Sequence, residues 1–107
     1  MAMNYPHPIE ELSASQIAFI KETKRRFIAG EAFTQEQTVF NHLLQGKGLT
    51  GPQALKLYHL YRLSGRINEL RHEQGFPISD ERLESRLALY YFEPHHLNTL
   101  KKAWSQA

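Results

Sequence analysis

A change of hydrophobic period at Gly75 divides this chain and limits its possible folds more than any other feature. Before Gly75, apolar side chains recur at helical spacing; after it they crowd into short runs of strand formers. Leu63, Ile67 and Leu70 stand at i, i+4 and i+7, one inward stripe on a helix expected from Arg62 to about Gln74. Phe76-Pro77-Ile78 reads as extended, because a proline restrains the residue before it. Leu87 to Phe92 is rich in strand formers and carries no breaker. A turn between Asp80 and Arg86 then makes a hairpin, roughly 77–83 with 87–92.

Upstream the pattern is helical. Ser15 reads as the N-cap of a helix running to about Ala29 and closed by Gly30, with Ile17, Ile20, Lys24 and Phe27 on one face. That stripe is thin, so the helix must dock on something or pair with another copy. Thr34-Gln35-Glu36-Gln37 has the form of a capping box and opens a helix with Val39, Phe40, Leu43 and Leu44 inward, ended by Gly46-Lys47-Gly48. Thr50 caps a third helix, with Pro52 in the first turn, where a missing N–H costs nothing. Ala54, Leu55, Leu57 and Tyr58 are expected to carry its apolar surface, and a link from His59 to Tyr61 leads onward. Pro94 begins a last helix with Leu97, Leu100 and Trp104 on one side. Pro6 and Pro8 make residues 1–14 an extended, weakly ordered arm. The expected organisation is therefore an arm at 1–14 and a single domain at 15–107, made of an extra helix (15–30), a core (34–92) and a C-terminal helix (94–106).

At 107 residues the chain holds one domain and not two. Without cysteine, disulfides, thiolate nucleophiles and cysteine-ligated zinc are excluded. Residues Met1 to Leu12 lack the apolar run of a secretory leader, and no stretch approaches the roughly 20 apolar residues of a membrane span, so a cytoplasmic protein is expected. No Ser-His-Asp set, phosphate loop or dinucleotide motif is visible, and Asp80, Glu81 and Glu84 sit in an exposed hairpin without a nucleophile; an enzyme is not expected. His95 and His96 are adjacent, which splays their rings by about 100°, and His42, His59 and His72 lack metal-ligand spacing, so neither a metal nor a cofactor is expected.

The order helix, short loop, helix, tight turn, helix, hairpin describes a mainly α winged helix-turn-helix: a three-helix core and a two-stranded wing, with an extra helix at each end. In such a unit the second helix of the pair buries one face on its own domain and offers the other to the DNA major groove. At about 100° per residue, the inward stripe places Gly65, Asn68 and His72 opposite, with Arg62, Arg66 and Glu69 on one flank and Ser64 and Arg71 on the other. Arginine grips guanine bidentately and asparagine reads adenine, so Arg62, Ser64, Gly65, Asn68 and Arg66 are expected near base edges. Lys47, Thr50 and Arg71 are expected at phosphates, which helix N-termini also favour, although Arg71 is equally placed to brace the wing. Gly65 in mid-helix costs about 1 kcal/mol relative to alanine, tolerable where a backbone must approach closely. Lys21, Lys24, Arg25 and Arg26 form a basic face that is either solvated or laid along a duplex. Carboxylates at Asp80, Glu81 and Glu84 would repel phosphates, shifting binding energy from the wing onto the helix at 62–74 and onto that basic face.

Leu49-Thr50, Gln53-Ala54-Leu55, Tyr61 through Arg71 and Gly75-Phe76-Pro77-Ile78 resemble the small winged helix-turn-helix proteins of phages and prophages. The resemblance covers about residues 34–92 and implies DNA binding in transcriptional regulation. It weakens at the wing. Where the family often has a Gly-Lys turn and then Arg-Tyr alternation, this chain has Glu84-Ser85-Arg86 and a Leu-Ala-Leu-Tyr-Tyr-Phe strand. The alternative is a protein-interaction module in which the acidic wing and the Leu87–Phe92 strand dock a partner. A homodimer through Leu97, Leu100 and Trp104 is expected, because one helix in one groove buries little surface and palindromic sites mirror a two-fold.

Overall fold

Three capping boxes set the helical frame. Ser13, Thr34 and Thr50 each accept the backbone N–H of the residue three positions on, and the glutamine there (Gln16, Gln37, Gln53) reaches back to the cap N–H. They open α1 (Ala14–Ala29), α2 (Gln35–Leu44) and α3 (Gly51–Tyr58) in the structure, a computed structural model that describes residues 12–107. Helix α1 thus starts at Ser13 and not at Ser15. Only Ser13 has a glutamine at the third position, and Ser15 instead donates to Oε1 of Gln74 at 2.9 Å. Residues 1–11 of the expected arm lie outside the described residues. Of the remainder, Leu12 packs on the core and Ser13 is the cap.

Helix α4 (Leu63–His72) begins differently. Its N-cap, Arg62, is in the left-handed region (φ 57°, ψ 53°) and its side chain makes no capping bond. The helix is therefore shorter than the expected Arg62–Gln74. At the far end Glu69 and Leu70 carbonyls take the N–H groups of Glu73, Gln74 and Phe76, which turns the chain towards the hairpin. Strands β1 (Ile78–Arg82) and β2 (Ala88–Phe92) pair antiparallel, from Ile78 opposite Phe92 to Arg82 opposite Ala88. Leu49 adds a one-residue third strand by exchanging two hydrogen bonds with Tyr90, at 2.9 and 3.0 Å, so the wing is tied to the chain just ahead of α3. At the wing tip Arg86 adopts φ 68°, the left-handed residue that closes a three-residue hairpin loop. Helix α5 (Pro94–Gln106) returns across α1 and α2.

The core centres on Phe40, whose ring meets Phe19, Phe76 and Phe92 at 4.8–5.9 Å between centroids. Ile20 of α1 and Leu100 of α5 are buried in the same cluster, with Leu97 and Trp104 packed against it. The α5 face expected to receive a second copy is therefore spent within the chain. Helix α1 also turns a different face inward: Gln16, Ile20 and Thr23 are buried while Ile17 and Phe27 are exposed. Gln16 fits there because its amide donates to the Gly75 carbonyl at 2.9 Å, and Thr23 because its hydroxyl donates to the Phe19 carbonyl at 2.7 Å. In α3 only Ala54 is buried, and Leu55, Leu57 and Tyr58 stay exposed. The anchoring role passes to Leu60, because His59 ends α3 in the left-handed region (φ 53°) and reverses the chain into the core. No helix among the described residues is long and apolar enough to cross a membrane.

Candidate nucleic-acid interface

Burial of Leu63, Ile67 and Leu70 orients α4, and the opposite face is open as its period demands. Ser64, Asn68 and His72 are exposed, Gly65 half so, and Arg62 stands exposed at the helix start. Among the described residues the side chains of Arg62, Ser64, Asn68 and His72 make no hydrogen bond or ion pair, which leaves their polar groups available to a ligand. A Cβ placed on Gly65 would meet nothing within 4 Å, so the helix surface there is bare backbone. Lys47 is exposed on the loop that precedes α3. An open groove runs between the start of α3, the 60–64 turn and β2, with Pro52, Leu55, Tyr61, Arg62, Ser64 and Leu87 among its walls.

Three of the expected contact residues have partners within the chain. Arg66 turns back to α2, where Nη1 donates to Oε1 of Gln35 at 2.9 Å and lies 3.5 Å from Glu36, while Nε sits 3.2 Å from Glu69. Its flank of α4 faces the N-terminal turn of α2, whose carboxylate captures it. Arg71 spans to the wing: Nε donates to the Ile78 carbonyl at 3.0 Å, Nη2 to Asp80 at 2.7 Å, and the guanidinium lies 5.7 Å from the Tyr90 ring centre. It braces the hairpin, and the same bond compensates Asp80, one of the carboxylates expected to repel phosphate. Thr50 is only 6% exposed, and its Oγ1 accepts the Gln53 N–H as the α3 cap.

Electrostatics around α4 follow from these pairings. A hydrogen bond with Glu36, helped by desolvation, holds the Glu69 carboxyl above the ordinary range. Glu36 is lowered by the same bond, with Arg66 adding to the effect. The basic face of α1 is compensated too. Arg25 binds both Glu22 and Glu31, Arg26 binds Glu22 and the Ala32 carbonyl, and Lys24 donates to carbonyls of Trp104 and Ala107. Hydrogen bonds from Arg25 and Arg26 lower Glu22 to about 2. Of that face, Arg25 and Arg26 are held in an ion-pair network with Glu22 and Glu31, and Lys21 is exposed.

Two structural residues escaped the sequence reading. His42 is buried; its Nδ1 accepts from the Tyr58 hydroxyl at 2.6 Å and its Nε2–H donates to the Gly48 carbonyl at 3.0 Å. It joins α2, α3 and the loop carrying Lys47; the signal was its place beside Leu43 on the buried face of α2. Gly48 lies tight against the wing: a Cβ there would come 2.7 Å from a Leu89 methyl, and the Leu89 side chain would have to shift to admit it. No cluster of three or more potential metal ligands occurs among the described residues, and His95 and His96 stack at 3.9 Å between ring centres where splayed rings were expected.

The model of a winged helix-turn-helix domain family matches residues 34–93. That span holds α2, α3, α4 and both strands, and leaves α1 and α5 outside it. No curated protein and no solved structure matches the chain significantly. Two helices joined by the His59–Arg62 turn, a third helix beneath them and a hairpin directly after are the arrangement associated with DNA as a partner. The family match covers more than half of the sequence, and the chain belongs to the winged helix-turn-helix domain family.

Proposed function

We propose that this chain binds double-stranded DNA sequence-specifically as a homodimer in a transcription-regulatory role, with α4 in the major groove. The observation that carries the reading is the open face of α4: Arg62, Ser64, Gly65, Asn68 and His72 are accessible together, while its other polar residues are engaged with α2 and the wing. Asn68 suits a bidentate contact to adenine and Arg62 one to guanine, each worth about 1–3 kcal/mol of discrimination. Lys47 suits a phosphate beside them. Arg66 and Arg71 are positioning residues that hold α4 at its angle. The resemblance to small phage and prophage regulators supports the regulatory role.

Selection from a random duplex pool, followed by binding measured across a salt series, tests this. Enrichment of one motif is expected. Asn68→Ala is expected to relax preference at a single base pair, and Lys47→Ala to weaken all sequences evenly and reduce the salt slope by about 1. A folded Arg62→Ala, Asn68→Ala double variant that binds selected and random DNA like the wild type sinks the proposal and leaves docking of a protein through the wing in its place.

A further inference from the structure

We infer that His42 is a positioning residue: one buried ring on α2 sets both the loop that carries Lys47 and the seat of the wing. The part that concerns Lys47 and phosphate rests on the DNA reading above; the seating of the wing does not depend on DNA. His42 is only 7% exposed. A polar side chain buried to that degree costs stability unless its atoms find partners, and here both ring nitrogens do. The Gly48 carbonyl can only accept, so Nε2 carries the hydrogen that meets it at 3.0 Å, and Nδ1 of the neutral ring accepts from the Tyr58 hydroxyl at 2.6 Å. Desolvation holds the Tyr58 phenol above its ordinary range, so the hydroxyl keeps the proton it donates. The two rings meet edge to face, 5.6 Å between centres. The imidazole therefore has one tautomer and one orientation, fixed from α3, and it is aimed at one carbonyl.

That carbonyl lies where the chain most needs holding. Lys47 is exposed between Gly46 and Gly48, and glycine has the most backbone freedom to lose on ordering. Gly46 uses that freedom, at φ 81°. Just past Lys47 the chain is clamped. His42 holds the Gly48 carbonyl, the Gly48 Cα packs so close to Leu89 that a Cβ would come 2.7 Å from a methyl, and Leu49 exchanges two backbone hydrogen bonds with Tyr90. Leu89 and Tyr90 are on β2, so the loop is gripped between the His42 ring and the wing. Thr50 then caps α3. Fixing the carbonyl one residue after Lys47 fixes where that side chain leaves the backbone and, through Leu49, where the wing sits. Neither bond of the ring is made to its own helix, as a histidine that only filled the core would need; both leave α2 for segments that the fold must bring into register.

Hydrogen exchange by NMR, followed by a DNA salt series, is the test. His42→Leu keeps an apolar side chain in the buried site and removes both bonds. His42→Gln keeps an amide N–H for the Gly48 carbonyl, and Tyr58→Phe removes only the hydroxyl. Relative to the Ile67 and Leu70 amides of α4, the Leu49 and Tyr90 amides are expected to exchange about fivefold faster or more in His42→Leu and to return towards the wild-type rate in His42→Gln. Tyr58→Phe is expected to speed the same two amides. On a selected duplex, His42→Leu is expected to lower the salt slope by about 1, although every lysine and arginine is still in place, and Lys47→Ala added to it is expected to lower the slope no further. A folded His42→Leu variant whose exchange rises evenly in α4 and the wing, or whose salt slope matches the wild type, overturns the inference. If His42→Leu does not fold, Tyr58→Phe decides, and unchanged exchange at Leu49 and Tyr90 overturns it equally. A wild type that selects no duplex while the exchange pattern holds defeats the DNA reading alone.

Discussion

Replacing Arg62 with glycine is expected to stabilise the fold and weaken DNA binding at once. Arg62 holds φ 57° and ψ 53° as the cap of α4. The left-handed region costs an L-residue about 1–2 kcal/mol, and glycine enters it freely. Glycine returns about 0.5–1 kcal/mol of this, because its unfolded chain has more freedom to lose. The side chain is exposed and has no partner among the described residues, so nothing else is lost from the fold. The net gain is about 0.7 kcal/mol, which for a domain of this size raises Tm by roughly 3–6 °C. If Arg62 grips a base, the same change removes about 1–3 kcal/mol of binding, roughly 5- to 150-fold in Kd. Thermal unfolding followed by circular dichroism reads the first effect, and fluorescence anisotropy on a selected duplex reads the second. Arg62→Ala is the control: it retains the strained backbone and loses the side chain, so it is expected to bind DNA as poorly as the glycine variant without the gain in Tm. If Arg62→Gly melts below Arg62→Ala, the strain assigned to the α3–α4 turn is refuted. If it melts higher yet binds DNA like the wild type, Arg62 is no part of the interface.

Phe40→Ala removes the ring on which Phe19, Phe76 and Phe92 converge and is expected to cost about 3–5 kcal/mol in urea unfolding, a large share of what such a domain possesses. Arg71→Ala is expected to cost only about 1 kcal/mol, since its partner Asp80 is partly solvated, but to speed hydrogen exchange at wing amides selectively over those of α2; uniform acceleration would deny it a bracing role. Glu22 has its pKa depressed to about 2 by hydrogen bonds from Arg25 and Arg26, so its contribution is present above its ordinary value of 4.5 and is lost as pH falls from there towards 2. Amide signals of α1 are expected to broaden across that window, and to do so less in Glu22→Gln. Glu69 has the opposite sign: its pKa is raised, so its contribution is present below 4.5 and fades as pH rises through the raised value, a titration that carboxyl-carbon NMR should show and Glu69→Gln should remove.

Features decided by a few neighbouring residues were legible. Thr34 and Thr50 were readable as caps because a capping box is closed by a glutamine three residues on, and the same rule applied at Ser13 would have placed the start of α1 correctly. Leu63, Ile67 and Leu70 were readable as buried because period alone assigns the inward face, and from that face followed the exposure of Asn68 and His72. The hairpin was readable from the breaker-free run after Gly75.

What period cannot supply is the neighbour across each flank. Arg66 and Arg71 have the same side-chain chemistry as Arg62, and only the approach of Glu36 from α2 and of Asp80 from β1 draws them off the open face of α4. Leu57 and Leu60 differ little as residues; the left-handed backbone at His59 sends one outward and the other into the core. The apolar stripe of α5 was correctly located, but whether α1 or a second copy covers it depends on how two segments distant in sequence meet. The sequence by itself determined which elements form, in what order, and which side of α4 is buried, since these rest on short-range caps, turns and periodicity. Tertiary packing decided which cations stay free, because a charge is available only where the fold brings no carboxylate or carbonyl to meet it.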